Sequence, residues 1–160
     1  MATLTAINPR IVKDNGTPVE YVEHNILNGQ TWNAGQFLQL DANGLLIVAA
    51  SGDVDFKYLA VETQADPGNS TTKATVAVLR SDLILEMHEL NGTVPETAKG
   101  TNFDLDVSSN VCTIDVDTVS TPSLQVVQAG WEYDNLNNNS ADTLARCRVK
   151  VLQSVIDAAS

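Results

Sequence analysis

The chain has 160 residues, with 20 Asp and Glu against 9 Lys and Arg, for a formal net charge of −11. That length suits one domain able to bury roughly 70% of its unfolded surface. The acidic excess argues against a sequence-independent nucleic-acid binder and against a protein held on an anionic membrane, because both need cations to meet phosphate. The charge is also unevenly placed. From Gly100 to Ala145 there is no Lys or Arg, but there are seven acids (Asp104, Asp106, Asp115, Asp117, Glu132, Asp134 and Asp142), after which Arg146, Arg148 and Lys150 arrive together.

The chain opens "MATLTAINPRIVKDNG", without the apolar stretch of a signal peptide. No run approaches the ~18 apolar residues of a membrane span. Residues 1–25 hold few apolar side chains, prolines at 9 and 18 and an Asn-Gly at 15–16. They read as an extended N-terminal arm ahead of a β-domain over 26–160.

Beyond the arm, short strand-like runs alternate with turn residues. "QFLQL" passes through "DANG" into "LLIVAA". Asn43-Gly44 is a strong hairpin signal, since both residues tolerate positive φ. "KYLAVE" follows, then the loop "ADPGNSTT" and the alternating "KATVAVLR". "SDLILEMHELNG" fits two readings. As a strand it puts Leu83, Leu85 and Met87 on one face; as a short helix it has Ser81 as N-cap and Asn91-Gly92 as C-cap. The strand is favoured because the preceding run ends one residue earlier.

"GTNFDLDV" and "VCTIDVD" alternate on either side of Ser109-Asn110. Matching the apolar partners sets Val107 opposite Cys112, Leu105 opposite Ile114 and Phe103 opposite Val116, as a buried face requires. The same register sets Asp106 beside Thr113 and Asp104 opposite Asp115, with Asp117 one step on. "SLQVVQ" and "LARCRVKV" complete the runs; in the last, Ala145, Cys147, Val149 and Val151 share one face and Arg146, Arg148 and Lys150 the other. All five prolines (9, 18, 67, 95 and 122) fall between runs, as ladders require. The expected fold is mainly β: a small antiparallel barrel or sandwich behind the arm.

The aspartate strip admits several chemistries. Directly opposed carboxylates repel, and water, a cation or a basic partner could relieve them. A Ca²⁺ ion wants six to eight oxygens around a point, commonly on a loop, and side chains on a flat strand pair converge poorly. A glycosidase-like acid pair needs a cleft with aromatic walls, and the chain has only eight Phe, Trp and Tyr. The expected reading is a solvated face that discourages edge aggregation, with a basic surface of another chain as the alternative. His24 and His88 form neither a triad nor a metal cage. Cys112 and Cys147 lie in different apolar runs and are expected to pack as buried thiols. Trp32 and Trp131 border strands as core-edge residues. The cationic strip on Arg146, Arg148 and Lys150 is a wet face or a contact with an acidic neighbour. The sequons at Asn15, Asn69, Asn91 and Asn138 read as Asn-rich turns. No catalytic, cofactor-binding or metal residue is assigned, and no enzyme activity is expected.

The order of features runs from a polar arm through "TWNAGQFLQLDANGLLIVAA" and "ATVAVLRSDLILEM" to "AKGTNFDLDV", "VCTIDVD" and "ARCRVKVLQ". Over residues 25–152 it resembles the head decoration (cement) proteins of tailed bacteriophages and related small β-barrel virion proteins. The resemblance implies a β-tulip or barrel domain on the outside of a capsid, a homotrimer with the major capsid protein as partner, and an N-terminal arm clamping the capsomers. It implies no catalytic residues. The rival reading is a host-attachment or glycan-binding β-domain, with "EYDNLNNNSAD" as its binding loop.

Overall fold

The computed structural model describes residues 7–90, 94, 96–128 and 146–159. Its strands are β1 (Arg10–Lys13), β2 (Tyr21–Asn25), β3 (Phe37–Leu40), β4 (Leu46–Val48), β5 (Tyr58–Ala60) and β6 (Lys73–Val78) in the first half. They continue as β7 (Ile84–His88), β8 (Asn102–Ser108), β9 (Val111–Asp115), β10 (Leu124–Gln128) and β11 (Arg146–Val151), before a short helix α1 (Gln153–Ala158). The ambiguous 81–90 segment is therefore a strand. Trp131, the 135–140 loop, Glu132, Asp134, Asp142 and the sequons at Asn91 and Asn138 lie outside the described residues.

The strands form two antiparallel sheets, ordered β1-β7-β11-β10-β8-β9 and β2-β6-β5-β3-β4. The arrangement is a sandwich rather than a closed barrel. Each sheet curls far enough to gain one extra parallel bridge, Ile26 to Leu46 in one and Glu89 to Ile114 in the other.

Burial explains this arrangement. Phe37, Leu59 and Ala77 on one face of the five-stranded sheet join Leu85, Met87, Leu105, Ile114, Leu124, Cys147 and Val149 of the six-stranded sheet in the main core. Phe37 and Phe56 stack there, ring centroids 4.7 Å apart; each fully buried ring contributes about 1.5–3 kcal/mol. The alternate residues Leu38, Tyr58, Ala60 and Val76 point the other way, into a second core with Ile26, Leu46 and Trp32. The five-stranded sheet is thus apolar on both faces, which is why "QFLQL" and "KYLAVE" carry apolar neighbours in sequence. Trp32 is 2% exposed, and its indole N–H donates to the Glu62 carbonyl at 3.1 Å, so it is a core residue.

Both expected hairpins form. Leu40 pairs with Leu46 across the 41–44 turn, where the Asp41 carboxylate accepts from the N–H groups of Asn43 and Leu45. In the second, Ser109 and Asn110 have φ of 51° and 62°, the left-handed pair that a two-residue hairpin turn demands.

The expected arm over 1–25 is corrected. Residues 10–13 pair with β7 and residues 21–25 pair with β6, so this segment supplies the outer strand of each sheet. Its low apolar content misleads because an outer strand needs little: Ile11 and Val19 pack against the main core and Val22 against the second, while Arg10, Lys13, Tyr21 and Glu23 are exposed. Just before β1, the Cys112 N–H donates to Asn8 Oδ1 at 2.8 Å and Asn8 Nδ2 donates to the Asn110 carbonyl at 3.0 Å. Gly35 closes over this segment: a Cβ there would sit 2.6 Å from the Pro9 carbonyl oxygen. The helix α1 was not anticipated; it docks through Val155, 1% exposed.

Candidate functional site: the acidic β8–β9 hairpin

The β8–β9 ladder runs in the expected register, from Ser108–Val111 through Val107–Cys112, Leu105–Ile114 and Asp106–Thr113 to Asp104–Asp115. It stops there, because the Asp104 N–H donates instead to the Thr118 carbonyl at 3.0 Å. Asp104 and Asp115 do face each other. The expectation of a solvated strip is corrected at Asp104, which is only 5% exposed.

The segment following β9 covers these carboxylates. Thr121 donates its backbone N–H to Asp104 Oδ1 at 3.0 Å and its hydroxyl to Asp104 Oδ2 at 3.1 Å. The Asp117 N–H and the Thr118 hydroxyl donate to the two oxygens of Asp115, at 3.0 and 2.8 Å. Asp106 accepts from Ser108 at 2.9 Å and from Ser51 at 3.3 Å. Ser51 also takes the Val107 N–H at 2.7 Å, joining the hairpin to the end of the five-stranded sheet. The repulsion expected between opposed carboxylates is thus offset by donors of the chain itself.

Sequence reasoning missed Glu89. The bridge to Ile114 carries it from the end of β7 to the edge of β9, where it is 1% exposed. Its carboxylate oxygen, with one each from Asp115 and Asp117, lies in a group all within 4.8 Å of one another. One converging oxygen from each gives three, short of the six to eight a calcium ion wants, and both oxygens of Asp115 already accept hydrogen bonds. The favoured strand reading of 81–90 carries no sign that the end of β7 bridges to the distant Ile114.

The cationic strip meets an acid within the same chain. Glu86, 6% exposed, accepts at Oε1 from Arg146 Nη1 at 3.3 Å and from Arg10 Nη2 at 3.2 Å. Arg148 stands directly opposite Glu86 in the β7–β11 ladder. Lys150 pairs in register with Gln125.

The remaining titratable groups are set by packing. Burial pushes the Cys112 thiol up to about 12 and raises Cys147 further. Both are free and buried, so neither is poised as a thiolate. His24 and His88 lie on different sheets. His24 packs edge-on against Tyr58, centroids 5.2 Å apart; its pKa is lowered by burial and then by the nearby Lys57 charge. Burial, with Glu20 nearby, raises that of Tyr58.

No helix among the described residues is long and apolar enough to cross a membrane. In comparison with known proteins, the chain matches no protein-family model and no curated protein.

Proposed function

We propose that this protein is a non-catalytic structural subunit of a virion, binding the outer surface of an assembled phage head through its major capsid protein and stabilising the shell as a decoration protein, in homotrimeric form. The observation that carries this reading is that the groups best suited to chemistry are engaged in holding the fold. Asp104 and Asp115 are bound by Thr121, Thr118 and the Asp117 N–H. Glu86 is bound by Arg10 and Arg146. Both thiols are buried. A rigid acidic β-body of this kind acts by binding rather than by turnover. A subunit that binds only the assembled shell stabilises it by mass action, site by site. The segment order, which resembles that of decoration proteins, supports the same reading. With residues 10–13 and 21–25 paired in the sheets, we assign the proposed contact with the shell to the folded body rather than to a 25-residue arm.

The test is to co-express the protein with the major capsid gene of the same genome and to band the shells on a density gradient. Stoichiometric co-sedimentation, with shells that withstand higher temperature, is the expected result. Protein remaining at the top of the gradient overturns the reading. If that protein then binds on a glycan array, the attachment-domain reading replaces it.

A further inference from the structure

β1 ends the six-stranded sheet, and among the described residues it pairs with no strand but β7. A trough runs beside it. A hollow of about 480 Å³ borders Arg10 and Ile11, and a second of about 440 Å³ borders Ile11, Val12 and Lys13, so the two together follow the whole strand. Tyr21, at the start of β2, lines both. Edge strands are commonly shielded by charge, shortness or a bulge, and β1 has all three. Shielding does not account for the apolar surface beside it. Of the five large hydrophobic side chains exposed among the described residues, Ile7, Tyr21 and Val61 all line the larger hollow. Such clustering marks an interaction surface, whereas single exposed apolar residues do not.

The irregularity in β1 decides which chemistry fits this edge. Arg10 pairs with Glu86 and Lys13 with Ile84, two residues apart on β7, so the extra residue at Val12 brings Arg10 and Lys13 to one face of the strand. That face is the outer one, because Leu85 and its partner Ile11 point into the main core. A segment laid along the edge therefore meets two cations on its outward side and an apolar strip on its inward side. Arg10 touches Glu86 yet remains 63% exposed, and Lys13 is exposed. The one acid bordering either hollow, Asp14, is turned into its own loop and accepts from the Gly16 N–H at 3.0 Å. In a chain of net charge −11, this is a place that an acidic partner can approach.

We propose that β1 takes an added strand from a different protein: an extended segment reading acid–apolar–acid. Its backbone bonds to the open edge of β1, its two carboxylates meet Arg10 and Lys13, and its apolar side chain enters the trough beside Ile11 and Tyr21. In strand addition the main-chain bonds supply affinity and the alternate side chains supply selectivity; here the period of two in such a segment matches the separation of the two cations. A fatty acid would cover the apolar strip and reach one cation, but would leave the N–H and C=O groups of the strand edge without partners, so the peptide is the better match. The inference does not depend on the shell reading: the partner is defined by its chemistry, and the site belongs to the free protein.

The probe is the blocked peptide acetyl-Thr-Glu-Ile-Glu-Thr-amide, titrated into the isotope-labelled full chain at low ionic strength, where surface charges are least screened, and followed by NMR. The expected result is saturable binding with a Kd of about 1 mM or tighter, with the largest shifts at the backbone amides of residues 10–13. The same peptide with Lys in place of both acids is expected to bind at least about tenfold more weakly, as is the original peptide to Lys13→Glu. Lys13 is exposed, and circular dichroism checks that the variant folds; the charge-reversed peptide tests the same match on the unaltered protein. Absence of saturable binding, shifts centred on another strand, or indifference to either charge reversal would each overturn the proposal. Decanoate that shifts residues 10–13 where the peptide does not would also overturn it, and would make the trough a site for small amphiphiles.

Discussion

Asp104 and Asp115 stand directly opposite each other in the β8–β9 ladder, and donors within residues 117–121 bind both of them. The fold thereby tolerates a like-charge pair that would otherwise weaken the hairpin. Asp104 is buried, so its two acceptor contacts matter. Asp104→Ala leaves the Thr121 N–H without its acceptor and should cost about 2 kcal/mol. Asp104→Asn keeps an acceptor for that N–H, offers its amide to the Thr121 hydroxyl and removes a like charge. It should cost less than about 1 kcal/mol. Urea denaturation of both variants checks the contrast; equal losses would mean that the charge rather than the acceptor geometry matters.

Glu86 should respond unequally to the loss of its two arginines. Arg10 is 63% exposed and Arg146 29%, so water screens the first contact more. Arg10→Ala is expected to cost at most about 1 kcal/mol. Arg146→Ala, which withdraws the more buried partner from a buried carboxylate, should cost about 2 kcal/mol or more. Thermal melts ranking Arg10→Ala as the more damaging change would contradict this account of the cluster.

Removing residues 1–23 deletes β1 and three residues of β2. It also takes Asn8 from Cys112 and Asn110 and Arg10 from Glu86. The truncated chain should therefore be unfolded or melt far below the full-length protein, whereas a free arm would leave melting unchanged. Gly35→Ala tests the same seating with one atom. Its Cβ would meet the Pro9 carbonyl oxygen at 2.6 Å, at a φ of +90°, and a loss above about 2 kcal/mol is expected.

Stability should fall on both sides of neutrality, for different residues. The Cys112 thiol is held up to about 12 by burial, above its unfolded value of about 8.5. Its contribution is whole below that unfolded value and is lost as the pH climbs from there toward 12; Cys147 and Tyr58 act in the same direction. His24 is lowered, so its contribution is present above its unfolded pKa, about 6.5, and is lost as the pH falls through that value toward the folded one. Denaturation midpoints measured across pH should show both limbs, with His24→Gln flattening the acid one. Thiol labelling of the native protein should be slow at pH 8 and become fast only in denaturant; rapid labelling of either cysteine would show that the core is open.

The alternation of the sequence was enough to mark nine of the eleven described strands. It also set the β8–β9 register down to the Asp104–Asp115 pair. Those features are local. A side-chain period of two, an Asn-Gly turn and a left-handed Ser-Asn pair each act within a few residues and act the same way in any fold. Tertiary structure decided what depends on distant partners. It recruited residues 10–13 and 21–25 as outer strands of different sheets, although a strand bonded on one side needs too few apolar residues to announce itself. It brought Arg10 to Glu86, 76 positions away, and Glu89 to the edge of β9. It also determined that Asp104 would be buried and bound rather than wet, because the donors that satisfy it lie on a segment whose path only the packed sheets define.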